Sequence, residues 1–123
     1  LALKTKVFGF TRDMTVATGS VAYTGVGFKP KAIHLIGANT TLSTNTGFGG
    51  QCDSALNQNA NYISAGATPA ATQFISGVLL RIGADADYQT LVVTSMDSDG
   101  FTGTWTRTGA PGGTHNLSAL CFS

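Results

Sequence analysis

The chain has 123 residues, a net charge of +1 and a pI of about 8.0, with 42% hydrophobic but only 11% charged residues. That length fits one domain able to bury a core, and all six acidic residues are Asp. The near-neutral balance shows no basic stripe for nucleic acid, and no apolar run approaches the ~20 residues of a membrane helix. The expectation is therefore no nucleic-acid and no membrane partner.

Usual helix-surface residues give way to Thr, Gly, Ser, Asn and Val, which favour strands and turns. In chain order, Lys6–Thr11 (KVFGFT) and Ser20–Thr24 (SVAYT) alternate with period two and predict strands. The stretch 1–6 before and into the first of them is expected to form an extended N-terminal arm. Its first ten residues lack the long apolar core of a signal peptide, and the absent initiator Met suggests trimming or proteolytic maturation. Gly25 to Pro30 is a turn region, with Pro30 expected at a strand start or edge because it cannot donate to a ladder. Ala32–Gly37 (AIHLIG) is apolar on both faces and reads as a central strand.

Asn39 to Ser76 has a different character. Between Lys31 and Arg81 the only charged residue is Asp53. Ala60–Ser64 predicts a short strand, and the rest reads as long loops built of small polar residues. Loops of that length in a compact domain are functional or disordered, and an uncharged surface suits burial against another protein. Phe48, Leu56, Tyr62 and Phe74, with Leu1 and Leu3 of the arm, are the expected contact residues.

Gly77–Ile82 (GVLLRI) predicts a strand and Gly83–Tyr88 (GADADY) an acidic turn. Leu91–Met96 and Phe101–Thr108 predict a hairpin across Asp97-Ser98-Asp99-Gly100, and Asn116–Phe122 a closing strand. In Phe101–Thr108, alternation puts Phe101, Gly103, Trp105 and Arg107 on one face and four threonines on the other. Trp105 is expected to anchor the core, with Gly103 leaving room for a neighbouring ring. About eight short strands separated by turn signals predict an all-β, antiparallel sandwich or jelly-roll-like fold: a single domain over 1–123 with long central loops.

Candidate chemistry is sparse. The DSDG run resembles the start of a calcium loop, but an EF-hand requires a downstream Glu, and the chain has none. It reads as a turn opened by Asp97 and closed by Gly100 in a left-handed conformation, although a calcium site shared between DSDG and GADADY is one further reading. Cys52 and Cys121 fall in no metal-ligand spacing and are expected as buried free thiols, with a disulfide between them as the alternative. His34 and His115 lie in no familiar nucleophile setting, and the glycine groups TGFGG and APGGT follow no strand-to-helix pattern. No cofactor, metal or catalytic residue is expected.

Two blocks, Thr18–Gly37 with GFKPKAI at its heart and Val93–Phe122, together resemble small bacteriophage virion proteins of β-sandwich type. The elements that carry the resemblance are Gly27, Phe28, Pro30, Gly100, Phe101, Trp105 and Leu120, which are scaffold residues. The resemblance implies a virion structural protein assembled in bacterial cytoplasm. Its first form is a capsid decoration or cement protein, homo-oligomeric and commonly trimeric, bound to the major capsid protein or another virion protein. The alternative is a tail-fibre, head-fibre or adhesin domain that binds a host glycan through an exposed aromatic such as Tyr62 or Trp105.

Overall fold

The computed structural model describes residues 2–39, 46–47, 49–64, 71–84 and 86–123. Eleven strands run in the order β1 (Thr5–Asp13), β2 (Gly19–Thr24), β3 (Ala32–Asn39), β4 (Thr46–Gly47), β5 (Gly49–Asp53), β6 (Gln58–Ser64), β7 (Ala71–Ser76), β8 (Leu80–Gly83), β9 (Tyr88–Asp97), β10 (Gly100–Thr108) and β11 (Thr114–Phe122). No helix occurs among the described residues. Two antiparallel sheets pack face to face as a β-sandwich: a six-stranded sheet ordered β1-β11-β3-β5-β6-β7 and a five-stranded sheet ordered β2-β10-β9-β8-β4.

The core follows from period-two alternation. On β10, Phe101, Gly103 and Trp105 face inward, and Phe101 and Trp105 are fully buried. On β11, His115, Leu117, Ala119 and Cys121 face inward; on β3, Ile33 and Leu35 do. Burial of a large aromatic is worth several kcal/mol; removing one costs about 3–5 kcal/mol. Trp105 also donates its indole N–H to the Tyr23 hydroxyl at 2.8 Å, which satisfies the one polar group it takes inside. Tyr23 continues into a ring cluster with Phe10 (4.3 Å between centroids) and Phe101 (5.1 Å). The space beside Gly103 is filled by the Leu91 side chain, not by the ring expected from sequence.

The central segment departs most from the sequence expectation. Asn39 to Ser76 reads as loops with one short strand, yet it holds β4, β5, β6 and β7. The physical reason is the size of its inward residues. Gly50, Cys52 and Ala60 face the core, so no large apolar residue marks the alternation. A Cβ at Gly50 would run into the Leu79 carbonyl oxygen, because the chain leading into β8 passes over this sheet at backbone distance. The strand predicted from Gly77 begins only at Leu80. The expected arm is also shorter: Thr5 and Lys6 already belong to β1, and Lys4 is tied to Ser123 by two hydrogen bonds of 2.9 Å.

The β9–β10 turn is a clamp. Asp99 accepts hydrogen bonds from the backbone amides of Gly25 (3.0 Å) and Gly27 (2.6 Å), and its carbonyl accepts from Val26. Asp97 accepts from the hydroxyls of Ser95 (2.7 Å) and Thr102 (2.6 Å), which hold its carboxyl below the usual carboxylate range. Gly100 takes a φ of +157°, in the positive range that side chains rarely adopt, and a Cβ there would collide with the Tyr23 carbonyl. The two blocks Thr18–Gly37 and Val93–Phe122 thus meet physically at Asp99, with Phe28 packed on the core and Pro30 buried just before β3.

Candidate interaction surface

The outer face of the six-stranded sheet carries the most distinctive exposed chemistry. The strand registers align its side chains in two rows. One row runs Val7, Leu120, His34, Gln51, Asn59 and Ser76. The next runs Gly9, Ser118, Ile36, Gly49, Asn61 and Phe74. Neither row contains an acidic residue, a lysine or an arginine. Val7 (68% exposed), Ile36 (55%) and Phe74 (65%) are large apolar side chains standing in solvent at intervals across the sheet. Two shallow hollows of about 330 and 310 Å³ adjoin on this face and share His34, Gln51 and Asn59. Amide groups and exposed apolar side chains without charge form the composition of an interface core.

The opposite outer face differs. It presents Ser20, Ala22, Thr102, Thr104 and Thr106, where small hydroxyls bond to one another, as Ser20 does to Thr104 at 3.0 Å. No large apolar residue on that face is exposed.

The expected contact residues scatter. Phe74 is exposed in the second charge-free row, at its edge strand. Leu3 is 69% exposed on the short arm. Tyr62 is half-buried: its hydroxyl donates to Gln73 at 2.6 Å and the Arg81 guanidinium lies over its ring at 4.4 Å. Leu56 is a correction: it packs against the core from a turn held by Asp53, where its own φ is +64°. Leu1 and Phe48 lie outside the described residues. Val7 and Ile36 were missed. Both sit in strands whose other apolar residues face the core, and from sequence alone nothing separates the two faces of AIHLIG.

The candidate catalytic and metal groups do not assemble among the described residues. Cys52, His34, Asp53 and Asn57 line one hollow, a set that suggests a thiol nucleophile. Their geometry opposes it. Cys52 points into the core and His34 out to solvent, on opposite faces of the sheet. Burial pushes the Cys52 thiol up to about 11, whereas an activated cysteine has a lowered pKa. Asp53 is engaged by Asn57 and the Ala55 amide, which hold its carboxyl low. Asp97 and Asp99 lie at one end of the ten-residue strand β9 and Asp87 at the other, about 30 Å apart, so these described carboxylates share no calcium site; Asp85 lies outside the described residues. No group of three or more metal-ligating side chains occurs among the described residues. Trp105, named for glycan stacking, has no exposed surface.

A buried polar cluster lies at the other end of the core. Arg12 is inside the sandwich, donating from Nε to Gln89 Oε1 at 2.9 Å and from its terminal nitrogen to the Ala17 carbonyl, with its guanidinium over the Trp105 ring. Gln89 in turn donates to the carbonyls of Met14 and Val16. The cluster closes the β1–β2 connection over the core, and all its polar contacts are internal. Comparisons with models of protein families, with curated proteins and with solved structures find no match to this chain.

Proposed function

We propose that the chain is a non-enzymatic structural protein of a bacteriophage particle, a capsid decoration protein that binds the outer shell by surface burial. It would be assembled in the bacterial cytoplasm and self-associate on the virion. The observation that carries this reading is the pair of charge-free rows across the outer face of the six-stranded sheet, with Val7, Ile36 and Phe74 exposed among amide side chains and Asp53 at their margin. These rows gain little from remaining in water and lose no ion hydration when covered. The two sequence blocks that resemble virion proteins supply the particle context; they form one scaffold, joined at Asp99.

The test is the copy number and position of the chain in purified particles, measured by quantitative mass spectrometry and by imaging. Hundreds of copies spread over the head are expected. A handful at the tail or at one vertex would favour the host-binding alternative and sink this reading. In the same particles, Ile36→Asp places a charge at the centre of the face and is expected to lower occupancy at least tenfold. Unchanged occupancy would place the contact elsewhere.

A further inference from the structure

We infer that β7 is a self-pairing edge, through which two copies of the chain join their six-stranded sheets across a two-fold axis. The inference is independent of the particle reading, since it concerns only what this edge fits.

An edge strand offers a row of unpaired backbone donors and acceptors, and proteins usually guard such rows with charge, Pro or a bulge. Within one sheet the two edges contrast. β1 carries Lys6, Arg12 and Asp13. β7 (ATQFIS) has no charge and no Pro, its register on β6 is unbroken, and no described strand pairs with its other side. Residues 54–80 around it hold no Asp, Glu, Lys, Arg or His. In the other sheet, β2 is also uncharged but shows solvent only the small Ser20, Ala22 and Thr24 on its outer face, and β4 is two residues long. Among the described edges, β7 alone joins an open edge free of charged residues to a large exposed apolar side chain, Phe74 at 65%; β1 exposes Val7 but is guarded by Lys6, Arg12 and Asp13.

The ladder fixes which groups point outward. Gly77 donates its amide to Gln58 at 2.8 Å, in register with the Asn59–Ser76 pair. By antiparallel alternation, Gln73 and Ile75 also bond toward β6, so the backbone groups of Thr72, Phe74 and Ser76 face the open side. Those three positions are symmetric about Phe74. A two-fold axis perpendicular to the sheet keeps like faces together, so a strand pairs with itself only in a register centred on a residue. Centring on Phe74 sets Phe74 against Phe74 of the second copy, and Thr72 against Ser76 in both directions. That register forms roughly six backbone hydrogen bonds, whereas centring on Gln73 forms roughly four. It also places two exposed rings side by side at the end of a charge-free row, a favourable cross-strand pair, with no like charges opposed.

The experiment is sedimentation of the full chain from about 10 μM to about 1 mM, with two variants and a control. A reversible dimer is expected. Phe74→Lys puts like charges at the axis, and Ser76→Pro removes an amide that points away from β6. Each is expected to weaken self-association at least tenfold with the far-ultraviolet circular dichroism retained, while Thr106→Lys, exposed on the outer face of the other sheet, leaves it unchanged. Amide exchange provides a readout free of mutation: the Phe74 and Ser76 amides are expected to slow as concentration rises. A monomer throughout, or an oligomer that both variants leave intact, overturns the inference. So do Phe74 and Ser76 amides whose exchange ignores concentration, which would leave the edge to a foreign strand or to solvent.

Discussion

His115 is the least satisfied residue in the core. It has no exposed surface, and neither ring nitrogen has a hydrogen-bond partner. Its direct neighbour across the ladder is Arg12, another buried side chain, which is positively charged. Burial lowers the His115 pKa below its ordinary value near 6.5, and a second positive charge beside Arg12 opposes protonation further. The sign of the consequence follows from proton counting. Above pH 6.5 the imidazole is neutral in both folded and unfolded chains, and it contributes no pH dependence. Below 6.5 the unfolded chain binds a proton that the folded chain refuses, so stability falls as pH falls, by up to about 1.4 kcal/mol per pH unit, until the folded pKa is reached. Chemical denaturation at steps from pH 7.5 to 5 is expected to show this slope, and His115→Leu to flatten it by one proton. An equal slope in the variant would assign the acid sensitivity to other groups. The pattern of alternation in NLSALCF made an inward face legible in sequence, but His115 stands just before that run, and burial of an imidazole without a partner has no sequence signal.

At the scale of elements, the sandwich is closed by a side chain acting as a strand. β8 pairs with β9 only between Tyr88 and Leu91. Beyond it the backbone of Val93 faces the gap, buried, and Gln58 of β6 fills it: Oε1 accepts the Val93 amide at 2.8 Å while Nε2 donates to the Val93 carbonyl at 3.0 Å. One amide group thus meets both backbone needs and ties the two sheets together. Gln58→Ala leaves a buried donor and acceptor unmet, at about 1–3 kcal/mol each, so a loss of about 2–4 kcal/mol is expected in equilibrium denaturation. Gln58→Glu supplies only the acceptor and is expected to recover a minor part at neutral pH. A loss under 1 kcal/mol for Gln58→Ala would mean that water takes over the role. The strands flanked by large apolar residues, such as VFGF, AIHLI and LVVTSM, were readable from their alternation or apolar content. Gln58 lies in a segment where alternation is silent, because Gly50, Cys52 and Ala60 are the inward residues and their smallness is set by the chain leading into β8 passing overhead. The same silence hid β5 and β7 and, with them, the charge-free rows of the outer face.

Over the whole molecule, the two thiols report on how the sandwich opens. Ile33 pairs with Cys121 on one side and Cys52 on the other, so the cysteines stand two ladder spacings apart on the inner face of one sheet. That is roughly 10 Å between Cα atoms, beyond the reach of a disulfide, which requires under about 7 Å. Both are free and buried. Burial raises both thiols, Cys52 to about 11, so at pH 8 only about one Cys52 in a thousand is thiolate even before access is considered. Neither can react until the sheets part, because both side chains are buried in the core, Cys121 on β11 between β1 and β3 and Cys52 on β5 between β3 and β6. Labelling by a thiol reagent is therefore expected to be slow in buffer, immediate in denaturant, and equal in rate for the two cysteines, since both wait on the same global opening. Reductant is expected to leave the melting temperature unchanged. Faster labelling of Cys52 alone would mean that β5 and its neighbours β6 and β7 detach as a unit before the rest. It would locate the weakest part of the fold at the strands that carry Gln58 and Phe74.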